Sequence, residues 1–191
     1  MTKQIGCAFI LMILICSCSI PIQKEQNIET IPDSENWKVE VEKTLKSFGH
    51  RNWIVVADAA YPQQSNQSIK TLTVDANQLE VVAIVNGLIE KSTHVSANLF
   101  LDKEMAFVTE QSAKGIEAYS AGLDKILGGK PKTQLFHEDI IQELDESAKL
   151  FNVLIIKTDL AIPYTSVFFQ LECGYWNAEA EESLRAVINK K

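Results

Sequence analysis

The sequence has no basic stripe and no cluster of aromatic residues with arginine, and its formal charge of −7 is spread along the chain. Both absences argue against nucleic acid as a partner, because phosphates select clustered Lys and Arg. No segment repeats with a period of about 20 to 50 residues, which excludes solenoid and propeller arrays. Glycine and proline are modest, 8 and 5 of 191 residues, while 46% of residues are apolar, so the chain reads as globular and not disordered. The length suits one ordinary domain with a full core and is too short for two.

Long apolar runs are also missing. "MTKQIGCAFILMILICSCS" sets a lysine ahead of roughly ten apolar residues, short of the ~20 that span a bilayer, and this predicts a signal peptide over residues 1–17. Within it "LICSC" resembles a bacterial lipoprotein box. Ser17 is the small residue that should precede a lipid-bearing Cys18, whereas cleavage before Cys16 would put bulky Ile15 in that place. A plain secretory signal or an uncleaved anchor is the alternative. Residues 18–33, with "SIPIQKEQNIETIPD", mix proline and polar residues as a tether does, and residues 34–191 form the domain with an extra C-terminal helix. The expected location is the bacterial cell envelope, lipid-anchored on the periplasmic side or the cell surface. With Cys7 and Cys16 removed and Cys18 lipidated, Cys173 is the only free thiol, so no internal disulfide and no two-cysteine metal site is expected.

Helical and extended patterns alternate along the domain. "SENWKVEVEKTLKSFG" carries an N-cap Ser34, an apolar stripe of Trp37, Val41, Leu45 and Phe48, and Gly49 to end the helix in a left-handed turn. "WIVVADA" is too continuously apolar for a strand with one wet face, so it predicts a central strand. "YPQQSNQS" reads as a loop, and a helix follows from about Ala76, although Val81 to Val85 alone would suit a strand. "HVSANLFLD" is a strand with Val95, Ala97, Leu99 and Leu101 on one face, and "GIEAYSAGLDKILGG" a helix closed by glycines. Short strand "KTQLF", helix "HEDIIQELDESAKLF", strand "NVLIIKT", loop "DLAIPY", strand "SVFFQLE" and a helix capped by Asn177 complete the chain. The expected class is α/β, a mostly parallel sheet between helix layers in a three-layer α/β/α arrangement, with its site where strands open into loops.

Histidine is scarce, and the three present differ. His94 starts an alternating strand without polar company and reads as a surface or edge residue. His50 and His137 stand at junctions, where each has a bland reading: His50 as a cation at a helix C-terminus, His137 as a helix starter. Asp58 follows an apolar strand, and a carboxylate there must find partners.

These residues also carry a likeness to a known family. "GHRNWIVVADAAYP" resembles the "GH…D…(I/V)V(I/V)ADAG(F/L)P" signature of the RbsD/FucU sugar mutarotases, the ribose pyranases and fucose mutarotases. "FHEDI" resembles the family's His-Glu-(Glu/Asp) helix start and "IIKTDLAIPYTSVFF" its "IRTGE…PYANIIL" end, in the same order, over roughly Val39 to Leu171. The resemblance implies a cofactor-free, metal-free isomerase that interconverts ring forms or anomers of a monosaccharide by ring opening. It implies His50 as acid/base catalyst, Asp58 as its orienting or sugar-binding partner, and His137, Tyr164 and Ser166 as substrate contacts. It also suggests a homo-oligomer.

The chemistry fits these residue types. Opening a cyclic hemiacetal removes a proton from the anomeric hydroxyl and delivers one to the ring oxygen, and imidazole titrates in the range where both are feasible. Departures fall around the sugar: Ser166 replaces an amide, Lys157-Thr158-Asp159-Leu160 replaces "RTGE", and Ile141 replaces a lysine. Ribose or fucose specificity therefore does not carry over. A sugar-binding lipoprotein that has lost turnover is the competing expectation. Tyr175 and Trp176, beyond the family's usual end, read as packing ahead of the last helix, with stacking on a sugar face as the alternative.

Overall fold

The computed structural model describes residues 36–190; the expected signal peptide, Cys18, the tether and the Ser34 cap lie outside them. The elements are α1 (Asn36–Ser47), β1 (Trp53–Ala57), β2 (Ile69–Thr73), α2 (Gln78–Lys91), β3 (Val95–Asp102), α3 (Ile116–Leu127), β4 (Lys132–Leu135), α4 (His137–Ser147), β5 (Val153–Lys157), β6 (Val167–Cys173) and α5 (Ala178–Ile188). A short 3-10 helix, Lys103–Phe107, leaves the end of β3.

One six-stranded sheet has the order β2-β5-β1-β6-β3-β4. Every pairing is parallel except the two made by β6, which runs against β1 and β3. β1 is buried along its whole length because alternate side chains enter two different cores. Ile54 and Val56 join α1, α2 and α3 on one face, while Trp53, Val55 and Ala57 join Ile140 and Leu144 of α4 on the other. This is the expected three-layer α/β/α arrangement. The α1 stripe of Trp37, Val41, Leu45 and Phe48 is buried as its spacing predicts, and β3 turns Val95, Leu99 and Leu101 toward the same core. On α5, Asn177 accepts from Ala180 N–H as the expected cap, yet none of the helix residues is buried.

Two expectations change. β2 was not among the expected strands; it is an edge strand whose only buried residue is Ile69, so "IKTLT" lacks the apolar signal of its neighbours. The left-handed residue after α1 is not Gly49 but Arg51, with φ 75°. Asn52 N–H closes a turn on the Gly49 carbonyl at 3.1 Å, and Asn52 Oδ1 accepts from Gly49 N–H at 2.8 Å. Arg51 then occupies the third position of that turn, where a type II turn takes a positive φ.

His94 also has more company than its surroundings in the sequence suggest. Its Nε2 lies 3.1 Å from both the Leu45 and Phe48 carbonyls, and its Nδ1 2.8 Å from Ser92 Oγ. Carbonyls at a helix C-terminus lack intrahelical donors, and His94 provides one for α1.

Candidate active site at the strand ends

Register builds the site. Asp102 at the end of β3 pairs with Leu135 at the end of β4, so His137, two residues on, begins α4 beside Asp102. Val167 at the start of β6 pairs with Val56 on one side and Leu101 on the other. The chain before Val167 therefore runs between the end of β1 and the end of β3, and Ser166 sits between Asp58 and Asp102. Four adjacent strands thus deliver Asp58, Ser166, Asp102 and His137 to one edge of the sheet.

Asp58 is half-buried. Its Oδ1 accepts from Ala60 N–H at 2.8 Å, fixing the turn after β1, and its Oδ2 receives a long bond of 3.4 Å from Ser166 Oγ. Ser166 is almost fully buried, so it acts at this edge through Asp58. Tyr164 lies nearby with its ring centroid 6.0 Å from that of His137, edge to face at 76°. Its φ of 59° is left-handed, uncommon for a residue with a side chain. Pro163 precedes it in a turn that Thr165 closes with a 2.7 Å bond from Oγ1 to the Ile162 carbonyl. Strained backbone of this kind persists where surrounding structure over-determines it.

Below the edge a buried polar network holds these segments together. Gln78 Nε2 donates to Tyr119 Oη at 3.0 Å and to the Thr165 carbonyl at 2.6 Å, and Tyr119 Oη donates to that carbonyl at 2.6 Å. Thr158 Oγ1 completes it with Gln78 Oε1 at 2.8 Å and the Ala57 carbonyl at 3.1 Å. Thus α2 and α3 fix the backbone next to both Asp58 and Ser166. Burial pushes the Tyr119 hydroxyl well above its ordinary range, keeping it a donor.

His137 is held twice. Its ring Nδ1 lies 3.1 Å from Asp102 Oδ1, and its backbone N–H meets both Glu104 oxygens at 3.1 Å. Glu104 supplies the helix cap that Phe136, the residue ahead of α4, cannot. The hydrogen bond to Asp102 raises the His137 pKa, against the opposing effect of burial. Burial raises the Asp102 carboxyl, while His137 pulls it down.

His50 is elsewhere. It precedes β1 whereas Asp58 follows it, and the five strand residues alone separate their ends by about 13 Å. The expected pairing of Asp58 with His50 is therefore not made within one chain. His50 instead sets Nδ1 2.6 Å from Glu172 Oε2 and accepts at Nε2 from Arg51 Nε at 3.1 Å. Three acids that sequence reasoning missed, Asp102, Glu104 and Glu172, hold the two histidines. Asp102 carried a usable signal, since it ends an apolar strand as Asp58 does.

A cavity of about 400 Å³ beside α2 and β3, lined by Asn86, Ser96, Asn98 and Lys130 among others, includes none of the candidate residues.

An α/β sheet with its polar residues gathered at the carboxyl ends of its parallel strands is an architecture that places small-molecule sites at that edge. Residues 34–174 match the model of the RbsD / FucU transport protein family, and the chain belongs to that family. Among solved structures it is similar to Bacillus subtilis RbsD complexed with D-ribose, at 18% identity and TM-score 0.49, covering 70% of this chain and 91% of that one. It is similar to FucU from Bifidobacterium longum at 15% identity and TM-score 0.49, covering 70% and 94%. It also resembles the fucose mutarotase of Streptococcus pneumoniae in complex with L-fucose, at 21% identity and TM-score 0.45, covering 68% and 89%. Comparison with curated proteins gives no match.

Proposed function

We propose that the protein is a cofactor-free monosaccharide isomerase that opens and recloses a sugar ring, interconverting pyranose and furanose forms or anomers. The observation that carries this reading is the convergence of Asp58, Ser166, Tyr164 and the Asp102–His137 pair at one sheet edge in a chain of this family. Carboxylates and a tyrosine hydroxyl can receive and orient sugar hydroxyls, and histidine transfers protons near neutral pH.

Ring opening needs an acid at the ring oxygen and a base at the anomeric hydroxyl. One chain offers His137 at this edge, with His50 at the other. His50 therefore serves the site from a second copy, and the active form is a homo-oligomer with sites shared between copies. His50 is half-exposed, as such a role requires.

Sugar binding without turnover is the second reading, and the remoteness of His50 from Asp58 within one chain favours it for any monomeric form. Saturation-transfer NMR across a monosaccharide panel separates the two. Acceleration of anomer or ring-form exchange supports the isomerase; saturable binding with exchange at the uncatalysed rate supports the binder. Replacement of an amide by Ser166 leaves a shorter group beside Asp58, so the preferred sugar is proposed to differ from ribose and fucose, and Ser166→Asn should move activity toward them.

A lipid on Cys18, holding the domain at the bacterial cell envelope, completes the proposal and rests on the sequence alone. Cys18→Ala should release the protein from membranes; persistent lipid labelling of that variant would move the attachment to Cys16.

A further inference from the structure

Asp102 ends β3 with its side chain fully buried, and a buried charge is costly unless it is paired. One oxygen meets His137 Nδ1, while Oδ2 has no hydrogen-bond partner among the described residues. The strand does not need an acid there for packing, since Leu99, Phe100 and Leu101 before it are buried core residues. Glu104, from the turn that follows, takes the His137 backbone N–H. One segment thus fixes His137 at backbone and ring and leaves Nε2 as the ring nitrogen available to a ligand.

We propose that Asp102 is a positioning residue that makes His137 the acid of the sugar site, holding a proton on Nδ1 and presenting Nε2–H to the ring oxygen. This rests on the reading of the edge as a sugar site. In the step, Nε2 gives its proton to the ring oxygen, and the bond from that oxygen to the anomeric carbon breaks with its electron pair going to the oxygen. The anomeric hydroxyl loses its proton to His50 of a second copy as the carbonyl forms. Reclosure reverses both transfers, so no net proton or electron is consumed.

The charged groups facing the pair agree with this assignment. Asp102 from β3, Glu104 from the 3-10 turn and Glu138 on α4 face His137, with the Tyr164 ring across from it. Asp102 in turn faces His137, Glu104 and Asp58, with the buried Tyr61 and Tyr119 hydroxyls also within electrostatic reach. Among the described residues, the charges that act on the imidazole are those of the acids Asp102, Glu104 and Glu138, which favour its cation.

The test is a side-chain NMR titration of the histidines in the full chain and in Asp102→Asn, run beside the pH profile of sugar exchange. In the parent, His137 should titrate above the ordinary value of about 6.5, with its neutral form carrying the proton on Nδ1. Asp102→Asn should lower that titration and move the alkaline limb of kcat down with it. The rate should fall about tenfold or more while KM changes little, as expected for loss of an oriented proton donor. A parent His137 that titrates below the ordinary value, or that carries its neutral proton on Nε2, overturns the proposal even if the variant fails to fold. An unchanged titration and profile in a folded variant does the same. If the parent accelerates exchange of no sugar, the isomerase reading falls, and the titration still decides whether Asp102 sets the state of His137.

Discussion

His50 Nδ1 lies 2.6 Å from Glu172 Oε2 at the sheet edge opposite the one where Asp58 receives Ser166. The chain thus carries two histidines held by carboxylates at Nδ1, one at each edge, and neither uses Asp58 as its direct partner. Holding the proton on Nδ1 leaves Nε2 of His137 to exchange protons with a ligand, whereas Nε2 of His50 accepts from Arg51 Nε, a bond that a ligand must displace. Glu172 should therefore matter to catalysis despite its distance from the sugar edge of its own chain. Glu172→Gln is expected to lower the exchange rate about tenfold with the fold and KM preserved; a parental rate in that variant would remove Glu172 from the mechanism.

Gln78 bridges α2 to Tyr119, the Thr165 carbonyl and Thr158, and all of these atoms are buried. Truncation would leave several polar groups unpaired. Gln78→Ala should cost about 1 to 3 kcal/mol in urea unfolding. It should also weaken sugar binding, because the Thr165–Ser166 backbone loses an anchor beside Asp58. An unchanged midpoint with unchanged KM would show that the network neither stabilises the fold nor positions the site.

Much of this arrangement was legible in the sequence, and the parts that were not have physical reasons. Continuous apolar runs at Trp53–Ala57 and Val153–Lys157 identify central strands because both faces are covered. Helix stripes and the Asn177 cap were equally plain. β2 escaped because an edge strand needs few apolar residues. Residue type and position in the sequence single out Asp58, His137 and Tyr164 one at a time, and the three gather at one edge. What the sequence could not supply was the register that sets Asp102 beside His137, whereas the spacing of His50 and Asp58 at the two ends of an extended strand was legible in it. A spacing of eight residues along a strand separates two side chains instead of joining them.

Tyr164 holds a left-handed backbone next to His137. Glycine adopts that conformation without a steric penalty, so Tyr164→Gly should gain about 1 kcal/mol of stability while weakening the sugar site. Thermal unfolding beside sugar-exchange rates checks both halves. A variant both less stable and fully active would show that the tyrosine ring is packing and not a substrate contact.

The His137 pKa is raised by Asp102, so the folded state binds that proton more tightly than the unfolded state. The stabilisation is complete below the ordinary histidine pKa of about 6.5 and is lost as pH rises through the higher folded value. Urea midpoints between neutral and mildly alkaline pH should therefore fall, and Asp102→Asn should flatten that fall. A parent midpoint that rises over the same range would contradict the sign.

Ring opening by an acid and a base requires two histidines that one chain keeps at opposite edges of its sheet. His50→Ala and His137→Ala should each lower sugar exchange at least about a hundredfold, the range of a lost acid or base. The most direct measurement unfolds the two variants together, refolds them at equal concentrations and records exchange by saturation-transfer NMR. With sites shared between copies and random assembly, about a quarter of sites regain both histidines, so about a quarter of the parental rate should return. A mixture as inactive as its components, although refolded and assembled like the parent, would contradict the shared site, as would a His50→Ala variant that retains the parental rate.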